Sequence, residues 1–166
     1  MLNELISQSE ALVFFTGAGI STNSGIPDFR GPKGIWKTSQ PIYFQDFVNS
    51  EEKRKESWER KFSNELNINK AKPNPGHQKI AEIMKKKGLS HLITQNVDNL
   101  HQESGVGDDR ITELHGNATY AKCLDCQLRY DLAELKESFL RTKEPPQCSE
   151  CNGLIKTATI SFGQAM

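Results

Sequence analysis

The sequence has no excess of charge of either sign, because 21 Lys and Arg residues are balanced by 21 Asp and Glu residues. A domain that binds nucleic acid by neutralising phosphates needs a surplus of basic side chains. We therefore expect no direct binding of nucleic acid. The run of three lysines at 85–87 does not change this expectation. It precedes Gly88 at a predicted helix end, where positive charge is favoured.

The sequence also lacks a long apolar run. No segment approaches the roughly 18 residues that a membrane-spanning helix needs, and the first residues, MLNELISQSE, lack the basic-then-apolar pattern of a secretory signal. We expect a cytoplasmic protein without a membrane partner. With 36% hydrophobic residues among 166, the chain can bury a core. Its length favours one domain with a small inserted module.

Cysteine is scarce, but its four copies form two closely spaced pairs. Cys123 and Cys126 make one pair, Cys148 and Cys151 make the other, and 21 residues separate the pairs. Four thiolates at this spacing suit tetrahedral Zn²⁺, and a site with four protein ligands leaves no position for a catalytic water. The spacing therefore predicts one structural zinc ion. Four free thiols or two redox-active dithiols are the alternatives.

Strands and helices alternate along most of the chain, which predicts an α/β fold with a parallel sheet. Apolar segments at 11–15, 89–94 and 111–114 are typical of strands, and we expect the first to be covered on both faces. Residues 119–156, which contain the cysteine pairs, interrupt this alternation of strands and helices and are interpreted as an inserted module. A further strand is predicted over 157–162.

A glycine turn, Gly17-Ala18-Gly19-Ile20-Ser21, follows the first predicted strand directly. Glycines at such a turn allow a diphosphate to approach backbone N–H groups. Thr22 stands where a complete dinucleotide-binding motif has its third glycine, so an ordinary turn is an equally good interpretation.

Polar residues follow all three strands of the predicted parallel sheet. The glycine turn follows the first, Gln95, Asn96 and Asp98 follow the second, and His115 follows the third. In an open α/β sheet, ligands bind beyond the carboxyl ends of the strands. His115 there could act as a general base, or it could be a core histidine bonded to a carbonyl. For His77 and His101, the structural interpretation is favoured.

Taken together, the motifs resemble those of the sirtuins, a family of NAD-dependent protein lysine deacylases. They occur in the family's order over nearly the whole chain. The motifs are GAGIS at 17–21, SGIPDFRG at 24–31, TQNVDNLH at 94–101, ELHG at 113–116, the two CxxC pairs and SFG at 161–163. The resemblance implies a Rossmann-like parallel sheet with an inserted small zinc-binding module. Residues 1–118 would form the N-terminal part of the NAD-binding domain, 119–156 the zinc module and 157–166 a strand returning to the first domain.

The resemblance also implies roles for individual residues. His115 would be the general base, Phe29 would shield the reacting carbon of the ribose from water, and Phe162 and Gly163 would pair with the substrate backbone as an added strand. The cysteines would hold one structural Zn²⁺. The residues implied to bind NAD are Gly17, Ala18, Gly19, Ser21, Asp28, Phe29, Arg30, Gln95, Asn96, Val97 and Asp98.

The activity implied by the resemblance is NAD-dependent deacetylation of an acetyl-lysine protein or peptide. NAD is cleaved to nicotinamide, and the acyl group passes to ADP-ribose. The sequence has no Tyr-x-x-Arg pair of the kind that family members use for acidic acyl groups, which favours acetyl. A protein mono-ADP-ribosyltransferase and an inactive zinc-binding fragment are the alternatives.

The chain is shorter than the family's pattern. Sirtuins continue with further Rossmann strands and a Gly-Thr-Ser turn, so we expect an incomplete sheet with an exposed edge and part of its core uncovered. Gln164 stands where many sirtuins have an acidic residue.

Overall fold

The computed structural model describes residues 2–28, 31, 34, 37, 40–63 and 68–166. The helices are α1 (Leu2–Gln8), α2 (Phe44–Asn49), α3 (Glu51–Phe62), α4 (Pro75–Lys86), α5 (Leu100–Glu103) and α6 (Leu132–Thr142). The strands are β1 (Val13–Thr16), β2 (His91–Thr94), β3 (Ile111–Glu113), β4 (Gly116–Cys123), β5 (Arg129–Asp131) and β6 (Ile155–Thr159). Short 3-10 helices span Ala18–Ser24, Ile68–Lys70 and Asp108–Arg110. No helix in these ranges has the length and apolar character needed to cross a bilayer.

The first three strands form a parallel sheet in the order β1-β2-β3, which confirms the predicted α/β fold. Phe14 lies opposite Leu92, and Leu92 lies opposite Ile111. Leu92 in the central strand is fully buried and clusters with Met84 of α4 and with Val106. Because all three strands run the same way, their carboxyl ends lie at one edge of the sheet.

One face of β1 is open, so the prediction that both faces are covered was wrong. Val13 and Phe15 are 70% and 62% exposed, whereas Thr16 is buried. Successive side chains of a strand point to opposite faces, and only one face of β1 meets the core in the described part of the chain. This open face matches the expectation of an incompletely covered sheet.

The second sheet is antiparallel, in the order β5-β4-β6. The last strand covers Ile155–Thr159 rather than 157–162, and its described partner is β4, not the parallel sheet. Beyond β6, the amide of Ile160 donates to the carbonyl of His115 at 2.8 Å, which joins this segment to the residue that follows β3 and Leu114. The strand predicted to return over 157–166 stays a prediction. Strand β6 ends before a turn in which Gly163 has φ 78°, a conformation that interrupts an extended strand.

A helix from outside the predicted module completes the core of this second sheet. Trp58 of α3 is 1% exposed and clusters with Cys123, Cys148 and Phe139. Its ring stacks on that of Phe62 at a centroid distance of 5.3 Å. Trp58 and Phe62 of α3 therefore contribute to the core beside residues 119–156, and the boundary at residue 118 stays a prediction.

Candidate active site and metal centre

The three parallel strands bring the predicted polar segments to one edge. The amide of Gln95 donates to the carbonyl of Thr16 (3.0 Å), and the amide of Leu114 donates to that of Thr94 (2.9 Å). These bonds extend the sheet by one residue beyond β2 and β3. The glycine turn, residues 95–98 and His115 consequently lie beside one another, as the strand order predicts.

The glycine turn is open on its outer side. Residues Ala18–Ser24 form a 3-10 helix, and the amide of Ile20 donates to the carbonyl of Gly17 at 3.1 Å. A Cβ on Gly19 would have no neighbour within 4 Å, and one on Gly17 would reach only the side-chain nitrogen of Gln95, at 4.0 Å. The backbone can therefore be approached closely by a ligand at this edge.

Three buried polar side chains join the glycine turn to the end of β2. Ser21 Oγ donates to Asp98 Oδ2 at 2.6 Å, and Asn96 Nδ2 donates to Ser21 Oγ at 3.1 Å and to the carbonyl of Gly17 at 3.2 Å. Asp98 Oδ1 accepts from the amide of Leu100 at 3.0 Å. Because each group has a partner, this network fixes the side chains before any ligand binds.

Two histidines lie beneath this network, and the sequence analysis favoured a structural role for both. The rings of His77 and His101 meet edge to face, with centroids 4.8 Å apart, and both are buried. His101 Nε2 lies 2.9 Å from Thr16 Oγ1, and His77 Nε2 lies 3.5 Å from Ser21 Oγ. Burial lowers the pKa of His101 to about 4 and also lowers the pKa of His77. Burial therefore favours the neutral form of both rings, which contact Thr16 at the end of β1 and Ser21 of the glycine turn.

His115 differs from these two histidines because its side chain is exposed. Its Nδ1 lies 3.0 Å from the carbonyl oxygen of Gln95. A carbonyl can only accept, so Nδ1 carries the hydrogen and Nε2 of the neutral ring keeps its lone pair. One alternative for His115 was a core histidine bonded to a carbonyl. The hydrogen bond to a carbonyl is present, but the ring is exposed and does not lie in the core. Nε2 can therefore accept a proton from a bound molecule.

Asp28 and Val97, which are also implied in NAD binding, make separate hydrogen bonds. Asp28 Oδ1 accepts from the amide of Gly31 at 2.9 Å. Phe29 and Arg30 lie outside the described residues. The carbonyl of Val97 accepts from the amide of Ala118 at 2.8 Å. This bond ties the end of β2 to the second sheet.

Phe162 and Gly163 lie in a turn. The amide of Gln164 donates to the carbonyl of Ser161 at 3.0 Å, and the carbonyl of Phe162 accepts from the amide of Phe44 at 2.9 Å. The Phe162 ring, 44% exposed, packs on Tyr43 at a centroid distance of 5.9 Å. The turn is therefore anchored to the start of α2.

The four cysteines form a cluster with the dimensions of a zinc site. Their Sγ atoms all lie within 4.8 Å of one another, and two cross-pairs, Cys123 with Cys151 and Cys126 with Cys148, are 3.5 Å apart. Ligands at the usual Zn–S distance of about 2.3 Å are about 3.8 Å apart in a tetrahedron. The donor set and its spacing fit one tetrahedral Zn²⁺.

A glycine keeps the cluster compact. A Cβ on Gly153 would lie 2.9 Å from Cys123 Sγ and 2.2 Å from a carboxylate oxygen of Asp125. No side chain larger than hydrogen fits beside the sulfurs without displacing them. The glycine after the second cysteine pair is thus required by the close approach of two segments.

Comparison with known proteins identifies the family. The model of the Sir2 family matches residues 17–166. An NAD-dependent protein deacetylase of Rhodopseudomonas palustris is 48% identical over 165 residues, which cover 99% of this chain and 65% of that protein. NAD-dependent protein deacetylase 1 of Bradyrhizobium diazoefficiens is 47% identical, with the same coverage.

A solved Sir2 complex with a p53 peptide and NAD⁺ has the same fold. It superposes with a TM-score of 0.79 at 37% identity, over 98% of this chain and 64% of that one. The chain therefore spans about 65% of the length of the curated relatives named above. Since the family model, the sequence relatives and the fold agree over nearly all of its residues, the chain belongs to the Sir2 family.

Proposed function

We propose that this chain carries the site of an NAD-dependent protein lysine deacetylase, which transfers the acetyl group of acetyl-lysine to ADP-ribose. The observation that carries the proposal is the position of His115. Its imidazole is exposed, held through Nδ1 by the Gln95 carbonyl, and lies at the edge where the glycine turn and the Ser21–Asp98 network meet. The relatives' names support the same activity.

NAD would occupy the edge formed by the three strand ends. Gly17, Ala18, Gly19 and Ser21 would take the diphosphate and a ribose, since the open glycine turn lets backbone N–H groups approach phosphate oxygens. Gln95, Asn96, Val97 and Asp98 would hold the nicotinamide ribose and the carboxamide. Asp28, Phe29 and Arg30, which follow the glycine turn in the sequence, would complete the site. When bound, NAD supplies the ADP-ribose that accepts the acetyl group.

His115 would act as the general base. Its Nε2 would take a proton from a ribose hydroxyl, while the Gln95 carbonyl keeps the hydrogen on Nδ1 and fixes the plane of the ring. The buried network of Ser21, Asn96 and Asp98 would fix the sugar relative to that nitrogen. General base catalysis of this kind contributes about 10²- to 10⁴-fold to a rate.

The remaining parts would serve structure and substrate binding. Cys123, Cys126, Cys148 and Cys151 would hold one structural Zn²⁺ with no open position for a reacting group. Phe162 and Gly163 would contact the acetyl-lysine peptide, with no membrane or nucleic acid involved. All four cysteines are free of disulfides, as suits a reducing compartment, and we propose a cytoplasmic location.

The test is product analysis by mass spectrometry after incubation with NAD and an acetyl-lysine peptide. The proposal expects nicotinamide, free-lysine peptide and O-acetyl-ADP-ribose together. His115→Ala should lower their formation at least about 100-fold. His91→Ala, which removes a histidine that contacts Thr112 instead, should retain most of it.

Other product patterns would contradict the proposal. ADP-ribosylated peptide with its acetyl group retained would identify a mono-ADP-ribosyltransferase. Bound zinc without NAD affinity or turnover would identify an inactive zinc-binding fragment. Deacetylation that persists in His115→Ala would remove the role assigned to that residue.

A further inference from the structure

We infer that Tyr130 is a positioning residue of the metal centre, whose hydroxyl donates a hydrogen bond to the Cys148 sulfur and thereby strengthens zinc binding. This inference rests on the zinc site proposed above and adds a residue outside the four ligands. It attributes part of the affinity for zinc to the hydroxyl group of Tyr130.

The hydrogen-bond geometry leaves the hydroxyl hydrogen directed at sulfur. Tyr130 Oη lies 3.0 Å from Cys148 Sγ. The amide of Ser149 donates to the same Oη at 3.0 Å, and Ser149 Oγ lies 3.2 Å from it. An amide N–H can only donate and a zinc-bound thiolate can only accept, so Oη accepts from the Ser149 amide and its own hydrogen makes the bond to sulfur. The Ser149 hydroxyl can then donate to Oη.

The tyrosine is held by protein packing and not by the metal. Tyr130 lies in β5, opposite Ala121 of β4, and its ring packs against the cluster that contains Trp58 and Phe139. The hydroxyl is therefore held beside Cys148 by the sheet register and the core. In the sequence, Tyr130 follows Cys126 by four residues, a spacing that gives no sign of this contact on its own.

The physical effect follows from the charge of the site. Four thiolates around one Zn²⁺ carry a net charge of two negative units, which a hydrogen-bond donor stabilises. Outer partners of metal ligands typically change metal affinity by about 10- to 100-fold. The same bond draws electron density from the sulfur, so it also lowers the reactivity of Cys148 towards electrophiles.

The first test is zinc affinity, measured by competition with a chromophoric chelator. Tyr130→Phe keeps the ring and removes the hydroxyl, and we expect about a tenfold loss of affinity. Tyr120→Phe removes a hydroxyl from the neighbouring strand β4, where the ring stacks under the Arg129 guanidinium, and should bind like the parent chain. Equal affinities of Tyr130→Phe and parent would overturn the inference.

The second test separates the hydrogen bond from packing. In chains loaded with Co²⁺, Tyr130→Phe should shift the sulfur-to-cobalt charge-transfer band to longer wavelength, because the sulfur becomes a stronger donor. Alkylation of Cys148, followed by mass spectrometry, should become faster relative to Cys126. A loss of affinity with neither change would show that only packing was altered. A parent chain that binds no zinc would instead refute the zinc site itself.

Discussion

Gly116 shows how one residue fixes the geometry on which His115 depends. It follows His115 directly and begins β4, with φ at 70°. A Cβ at this position would lie 2.0 Å from the carbonyl oxygen of Ala158 in β6. Both the backbone conformation and the contact with the neighbouring strand therefore require glycine.

We predict that Gly116→Ala lowers the free energy of unfolding by about 3 kcal/mol, since backbone strain of 1–3 kcal/mol is joined by a steric overlap with β6. Chemical denaturation of the two chains would measure the difference. Gly88→Ala is the matched control, because a Cβ on Gly88 would have no neighbour within 4 Å. Similar losses in both variants would contradict the argument.

Individual residues differed in how well the sequence predicted them. The cysteine cluster was predicted from spacing alone, because the chemistry of four thiolates needs little knowledge of the fold. The bond between Ser21 and Asp98 could not be predicted, since it joins residues far apart in the sequence and depends on the register of β1 and β2. The contact of Tyr130 with Cys148 was missed for the same kind of reason.

At the scale of elements, Asn74 connects the start of α4 to the glycine turn. Its Oδ1 caps the helix by accepting from the amide of Gly76 at 2.9 Å. Its Nδ2 donates to the carbonyl of Ile20 at 2.7 Å and to Ser24 Oγ at 2.9 Å. One side chain thus has two separable functions.

We predict that Asn74→Ala destabilises the chain by about 1 to 2 kcal/mol through loss of the cap. Asn74→Asp keeps the capping oxygen but loses both donated bonds, so it should retain most of the stability and still weaken NAD binding. Thermal unfolding and calorimetric titration with NAD would measure the two effects. If Asn74→Asp binds NAD as the parent does, the glycine turn does not depend on Asn74.

The predicted elements were most accurate where local signals are strong. α4 ends at Lys86, within the run of lysines at 85–87 where the sequence predicts a helix end. The polar segment from Phe44 to Phe62 forms two helices rather than one, because Ser50 adopts an extended conformation and caps α3 by accepting from the amide of Lys53. The exposed face of β1 could not be predicted from its apolar residues. An apolar strand sequence does not show whether other helices or strands cover each of its faces.

At the scale of the whole molecule, the metal centre and α3 share one core. Trp58 is 1% exposed and packs in the cluster with Cys123 and Cys148. The sulfurs that would hold the metal therefore also form part of the wall around the indole. Loss of the ion should loosen this core and admit water to Trp58.

We predict that zinc removal by a chelator shifts the fluorescence of Trp58 to longer wavelength. The measurement uses a Trp36→Phe chain, because the sequence has two tryptophans and only Trp58 should then emit. Adding zinc in excess should reverse the shift. An unchanged spectrum in a chain shown by elemental analysis to be metal-free would mean that the core holds without the ion.

The contribution of α3 to the cysteine-bearing unit also has a kinetic consequence. During synthesis, α3 is made long before Cys148 and Cys151, and β2 and β3 lie between them in the sequence. The indole of Trp58 therefore has no complete partner surface until the last cysteine pair has emerged from the ribosome. Closing this long loop costs chain entropy, so capture of the ion becomes a late step of folding. The supply of zinc would then govern how fast newly made chains reach their final form.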